Sequence, residues 1–72
     1  MTELGLFLAK KSINKAEVSR KTGISKSRIS QLSSNPSTKL SAKELYMISL
    51  AIDVDPCEVF KEIFFDFKLP KV

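Results

Sequence analysis

A run of hydrogen-bonding side chains near the middle of the sequence has the composition of a binding surface. The run consists of Lys26, Ser27, Arg28, Ser30 and Gln31. It surrounds Ile29 and Leu32, whose spacing of three predicts the buried face of a short helix. The outward face then carries long donors and small hydroxyls, unlike the glutamate–lysine mixture of an ordinary solvated helix. Such a face fits the major groove of duplex DNA, about 12 Å wide; the alternative is a polar surface without a partner.

Residues that support enzymatic or metal chemistry are scarce. The sequence has no histidine, and Cys57 is its only cysteine. It offers no glycine-rich loop for a phosphate and no nucleophile with a neighbouring base. We therefore expect no metal, no cofactor and no enzymatic activity. A lone thiol is typical of a reducing compartment such as the cytoplasm, and we favour an ordinary surface cysteine over a redox sensor at Cys57.

The charge of the chain is unevenly distributed. The 72 residues suffice for one domain and have a net charge of +4. Residues 1–40 hold eight basic side chains and two acidic ones, whereas residues 41–72 hold four basic and six acidic ones, so the two parts carry +6 and −2. This split favours contact between one end of the domain and a polyanion. No stretch approaches a membrane span and the N-terminus lacks a signal-peptide pattern, so we expect a cytoplasmic protein.

Helix starts follow a repeated local pattern. Asn14, Ser25, Ser41 and Asp55 are predicted N-caps, each flanked by the two apolar residues of a hydrophobic staple. Three of these caps are followed three residues later by a glutamate, which predicts a capping box, whereas Ser25 is followed by Arg28. With one earlier helix near the N-terminus, the pattern predicts five short helices. Their approximate ranges are 2–11, 15–22, 26–33, 42–52 and 56–65.

The start of the third predicted helix breaks a local rule. Lys26 and Arg28 put two positive charges at the positive end of the helix dipole, each unfavourable by about 0.3–1 kcal/mol when exposed. Local rules fail most often at functional sites. A phosphate or a base edge bound there would turn this cost into a gain.

The turn before that helix has residues suited to a tight crossing of two helices. Val18 is predicted to face inward, and Ser19 is small enough for the next helix to pass closely. Gly23 can adopt the left-handed backbone that ends the second helix and begins a short turn. The spacing of these residues is therefore typical of two helices joined at a steep angle.

The segments 13–19 and 23–32 together resemble the helix-turn-helix of the Cro/C1-type (XRE) family. The similarity continues through Leu45 and Ile48 to Phe60, and covers about residues 4–60. It implies an all-α, lambda repressor-like bundle of five short helices. We place this domain at residues 1–63, followed by a short C-terminal extension at 64–72.

The resemblance also implies a bacterial-type, sequence-specific regulator of transcription, in particular a repressor, that reads duplex DNA with the helix over 26–33. The base-reading residues would be Lys26, Ser27, Arg28 and Gln31. The phosphate or backbone contacts would come from Asn14, Lys15, Ser25, Ser30, Asn35 and Lys39. Arginine and lysine suit guanine, and glutamine suits adenine, so we expect Arg28→Ala to relax the preference at one base pair.

Two departures from the family pattern concern the third helix. Many members pair an arginine in the first helix with a glutamate at the end of the third, whereas Leu8 and Ser33 stand at these positions. Because both partners are absent, no charge is stranded. The usual glycine after the third helix is also missing, and Asn35 before Pro36 is the expected substitute turn residue.

The C-terminal extension is rich in apolar residues, namely Phe64, Phe65, Phe67 and Leu69, which follow the point where the family resemblance ends. The alternation over residues 65–69 predicts a short strand. Together with Leu6, Met47 and Leu50, the extension either pairs two copies of the chain or folds back onto its own core; we favour a homodimer on an inverted-repeat operator. The rival hypothesis is an antitoxin-like or adaptor module that acts mainly through a protein partner.

Overall fold

The computed structural model describes residues 1–70, which form five helices and contain no strand. The predicted all-α fold is confirmed, and the helix boundaries lie within one residue of the predicted ones. The helices are α1 (Glu3–Lys10), α2 (Lys15–Thr22), α3 (Lys26–Ser34), α4 (Ala42–Ala51) and α5 (Pro56–Phe64).

Each helix begins at a side chain that accepts hydrogen bonds from the first turn. The predicted N-caps are confirmed at Asn14, Ser25, Ser41 and Asp55. Of the three predicted capping boxes, the one at Ser41 is complete, since its backbone amide donates to the Glu44 carboxylate. Glu17, which follows Asn14, instead forms a salt bridge with Arg20, in which Oε2 and Nη2 are 2.7 Å apart.

The predicted staples supply much of the hydrophobic core. The four apolar residues that precede the caps lie half-buried against it: Ile13, Ile24, Leu40 and Val54. The residues opposite them in the staples are buried, namely Val18, Ile29, Leu45 and Val59. Leu4, Phe7, Leu8, Leu32 and Ile48 complete the core. Each staple thus fixes the direction in which the chain enters its helix and joins that helix to the core.

The first and third helices approach each other closely at the site where the family's ion pair is absent. Leu8 and Ser33 are both fully buried, and the Ser33 hydroxyl donates to the Ile29 carbonyl at 2.8 Å. Thr2, the N-cap of α1, links the two helices, because its backbone amide donates to the Ser33 carbonyl at 2.9 Å. A Cβ atom at Gly5 would overlap that same carbonyl oxygen. The close approach therefore requires a small residue on each helix.

The strand predicted over residues 65–69 is wrong. α5 ends at Phe64 and is followed by a turn, in which the Phe67 amide donates to the Phe64 carbonyl at 3.0 Å. A strand needs a neighbour to satisfy its backbone groups, and residues 1–70 contain no strand that could pair with it. Phe65, Phe67 and Leu69 are 71%, 74% and 91% exposed, so in the described residues the extension does not complete the core.

Candidate nucleic-acid interface

The turn between α2 and α3 sets the angle of α3. Gly23 ends α2 in the left-handed region with φ of 79°, as its position in the sequence predicts. The Ser19 hydroxyl donates to the Ile24 carbonyl at 2.6 Å across the turn. Val18 and Ile29 are buried on the inner faces of the two helices. The packing therefore holds α3 by one face and leaves its opposite face exposed.

The exposed face of α3 carries hydrogen-bonding groups and no acid. Lys26, Ser27, Ser30 and Gln31 are all exposed. The Ser25 hydroxyl accepts from the Arg28 amide at 3.1 Å, so this side chain serves as the helix cap. Four of the residues predicted from the sequence thus lie on the exposed surface of α3.

Arg28 differs from these four because its side chain lies against the protein. Its Nε donates to Glu44 Oε2 at 2.8 Å, and its Nη2 donates to Glu44 Oε1 at 2.9 Å. The same Nη2 donates to the Lys39 carbonyl at 2.8 Å. We call the assembly of Arg28, Lys39, Ser41 and Glu44 the Arg28 clamp. It joins α3 to the start of α4 and to the loop between them.

That connecting loop (residues 35–41) begins with a turn built by a side chain. Asn35 ends α3 with an extended backbone, φ −103° and ψ 108°, as expected for a residue before proline. Its Oδ1 accepts from the Ser37 amide at 2.9 Å. Asn35 therefore replaces the family's glycine with an Asx turn and not with a left-handed backbone. Its Nδ2 donates to Gln31 Oε1 at 3.2 Å, which orients the glutamine amide.

The sequence that folds into these helices matches a known protein family. The family model of the Cro/C1-type HTH DNA-binding domain matches residues 3–63 of the sequence. The chain belongs to this family. A search of the curated proteins and of the solved structures gave no match.

Membership of the Cro/C1-type family supports a DNA-binding regulator in general, and the family is not an enzymatic one. The match ends at residue 63, before the exposed aromatic residues of the extension. Within residues 1–70, no helix is both long enough and apolar enough to cross a membrane.

The Arg28 clamp of this Cro/C1-type domain contains a salt bridge between two helices. The hydrogen bonds from Arg28, assisted by the Ser41 amide and hydroxyl, lower the pKa of Glu44 to about 2 despite the opposing effect of partial burial. The same hydrogen bonds raise the pKa of Arg28. Both groups are therefore charged at neutral pH, and the ion pair is stable there.

The candidate phosphate-binding residues lie at helix starts and in the connecting loop. Lys15 is the first residue of α2, and its side chain is exposed. Asn14 Oδ1 accepts from the amides of Ala16 and Glu17, so this atom acts as a cap. The Lys39 side chain is exposed, although its carbonyl is bound by Arg28.

Sequence reasoning missed the contact of Glu44 with Arg28. Its position three residues after Ser41 predicts a capping box, and that box is present. The positive charge of Arg28, at the third position of α3, was the feature of the sequence that could have indicated an ion pair with Glu44. A basic residue there calls for a nearby anion, and the protein itself provides one 16 residues further along the chain.

Proposed function

We propose that the protein is a sequence-specific regulator of transcription that places α3 in the major groove of duplex DNA and acts as a repressor. The observation that carries the proposal is the exposed face of α3, which combines a lysine, small hydroxyls and a glutamine with no acidic residue. An acid-free face with a positive first turn complements a polyanion, and its small side chains let the backbone approach the base edges.

We propose that three side chains of α3 read bases. Lys26 and Ser27 lie in the first turn of α3, and Gln31 lies one turn later. Lys26 suits the guanine acceptors O6 and N7. Gln31 suits adenine, and the hydrogen bond from Asn35 Nδ2 to its Oε1 orients the amide. The proposed backbone contacts are made by Asn14, Lys15, Ser25, Ser30, Asn35 and Lys39.

The decisive experiment is selection of binding sites from random duplex, followed by titration of the selected site. Lys26→Ala should weaken binding to the selected duplex more than to random duplex, because it removes a base contact. Lys10→Ala is the matched control: it removes the same charge from an exposed position of α1 and should leave the preference unchanged. A folded protein that bound no duplex at low ionic strength would exclude the proposal.

Salt dependence separates DNA binding from the rival adaptor function. About six phosphate contacts would give log K a slope near −5 against log salt concentration. The specific observation that favours an adaptor is the set of exposed aromatic residues around the end of α5. Tight binding of a protein partner without measurable affinity for duplex would favour the adaptor.

We further propose that the protein binds DNA as a homodimer through the C-terminal extension. Phe64, Phe65, Phe67 and Leu69 form an apolar surface outside the part that matches the family. Two copies related by a two-fold axis would contact inverted half-sites about 34–36 Å apart.

A further inference from the structure

Arg28 has no pair of parallel donors left with which to read a base, since only the two diverging N–H groups of Nη1 have no partner among residues 1–70. Guanine is read by two parallel N–H groups, which a guanidinium presents either from Nε and Nη2 or from its two terminal nitrogens. Both edges include Nη2. One Nη2 hydrogen is directed to Glu44 Oε1 and the other to the Lys39 carbonyl. Reading a base with two donors would therefore require the Arg28 clamp to open.

Opening the clamp would leave unpaired groups in a partly buried position. The Glu44 side chain is only 18% exposed, whereas that of Arg28 is 40% exposed. Without Arg28, the carboxylate would keep the Ser41 amide as a partner and lose both guanidinium donors. Water would replace these donors only in part, because the Glu44 side chain is largely covered by the rest of the protein. The closed clamp is therefore the stable arrangement.

The clamp connects the base-reading helix to the segment that follows it along the DNA backbone. Arg28 lies in the first turn of α3, and Lys39 lies near the end of the connecting loop. Asn35 and its contact with Gln31 fix the other end of that loop. The two ends of the loop are thus each tied to a residue of α3 through a side chain.

We propose that Arg28 is a positioning residue for DNA binding: it holds the connecting loop and the start of α4 at a fixed distance from α3, and it does not read a base. This inference rests on the proposed function. It replaces the sequence-based expectation for Arg28, and it leaves base readout to Lys26, Ser27 and Gln31. Phosphate contacts from the loop, including Lys39, depend on the clamp because they must match the groove position of α3.

The two roles for Arg28 predict opposite effects of removing Glu44. If Arg28 positions the loop, Glu44→Ala breaks the clamp and weakens binding. If Arg28 reads a base, Glu44→Ala releases the guanidinium and strengthens binding. Affinities for the selected duplex and for random duplex are measured for Arg28→Ala, Glu44→Ala and the double variant, with a full profile of base preference for each.

We expect each single variant to bind both duplexes about tenfold more weakly, the change that corresponds to one lost hydrogen bond to a charged group. Base preference should stay the same at every position, and the double variant should bind no more weakly than either single one, because both remove the same interaction. Lost preference at one base pair in Arg28→Ala, or tighter binding by Glu44→Ala, would overturn the inference.

Two controls keep the result interpretable. Asp55→Ala removes the cap of α5 and leaves the Arg28 clamp intact, so it measures the effect of a weakened helix start alone. Arg28→Lys is the milder variant should Arg28→Ala unfold; one ammonium cannot replace the bidentate contact, so uniform weakening is again expected.

Amide hydrogen exchange provides a readout that is independent of DNA. In Arg28→Ala, exchange should accelerate at residues 37–41, whereas Lys26→Ala should leave it unchanged. If the natural protein binds duplex and exchange in the loop is the same in both variants, the positioning role is excluded while the proposed function stands. If the natural protein binds no duplex, the proposed function itself fails, and the role of Arg28 in DNA binding fails with it.

Discussion

Glu44 is engaged through both of its carboxylate oxygens and through its own amide. Oε1 accepts from Ser41 and Arg28, Oε2 accepts from Arg28, and the Glu44 amide donates to the Ser41 hydroxyl. One carboxylate therefore starts α4 and also neutralises the basic residue in the first turn of α3. The unfavourable charge at that helix start, which the sequence associates with an external anion, has an internal partner.

The lowered pKa of Glu44 makes stability depend on pH in a defined window. Its pKa is about 2 in the folded chain and near 4.5 as the ordinary value, so the ionised form is the one that stabilises the fold. This contribution is complete above about pH 4.5 and is lost as the pH falls towards 2. Glu44→Gln should flatten the dependence of the free energy of unfolding on pH between about 5 and 2.

Urea denaturation of the natural chain and the variant between pH 2 and 7 checks this prediction. Glu62→Gln, a change at an exposed glutamate of α5, is the control and should keep the natural dependence. Parallel curves for Glu44→Gln and the natural chain over that interval would contradict a lowered pKa at Glu44.

The helices are positioned by local patterns that can be read from the sequence and by one close contact, between α1 and α3, that cannot be read from it. Caps and staples are local patterns, so the five helices and the inward direction of each are predictable. The approach of α1 to α3 depends instead on the distance between two backbones, which Gly5, Thr2 and Ser33 determine together. No pattern within a single helix reports such a distance.

Gly5→Ala should destabilise the domain even though alanine favours helices. Helix propensity alone would stabilise by about 0.5–1 kcal/mol. The new Cβ, however, would overlap the backbone carbonyl oxygen of Ser33, and backbone cannot rotate away as a flexible side chain does. A net loss of about 1–3 kcal/mol in the free energy of unfolding is expected. Ala9→Gly, at an exposed position of the same helix, measures the propensity effect separately; higher stability of Gly5→Ala would disprove the close contact.

Interactions between neighbouring residues could be predicted from the sequence, whereas contacts between residues distant along the chain could not. The Arg28–Glu44 ion pair joins residues 16 apart on different helices, so the sequence exposed the anomaly at Arg28 without its partner. The alternation over residues 65–69 failed for the opposite reason, since a local pattern suggested a strand for which the described chain has no neighbour. The Asx turn at Asn35 was predictable as a turn, but its contact with Gln31 depends on where α3 ends.

At the scale of the whole molecule, charge and apolar surface are separated along the chain. The first 40 residues carry +6 and include α3, whereas the remainder carries −2 and includes the aromatic residues at the end of α5. Phe64 packs against Phe60 with ring centroids 4.9 Å apart and against Phe67 at 6.1 Å. These rings cluster with one another on the surface, beyond the half-buried Ile63. Because α5 packs against α1 and α4 and not against α3, the proposed pairing of two copies through this surface would leave the exposed face of α3 open.

The joint variant Phe65→Asp/Phe67→Asp should therefore weaken self-association by tenfold or more, about the effect of exposing one fully buried aromatic side chain. Sedimentation velocity across a range of protein concentrations measures the self-association. Ala9→Asp, which places the same charge at an exposed position of α1, should leave it unchanged. The DNA gives an independent measure: sites selected by the natural chain should be inverted repeats, whereas the double variant should select single half-sites. A natural chain that stays monomeric at every concentration, and selects half-sites without symmetry, would instead leave the aromatic surface available to a different protein.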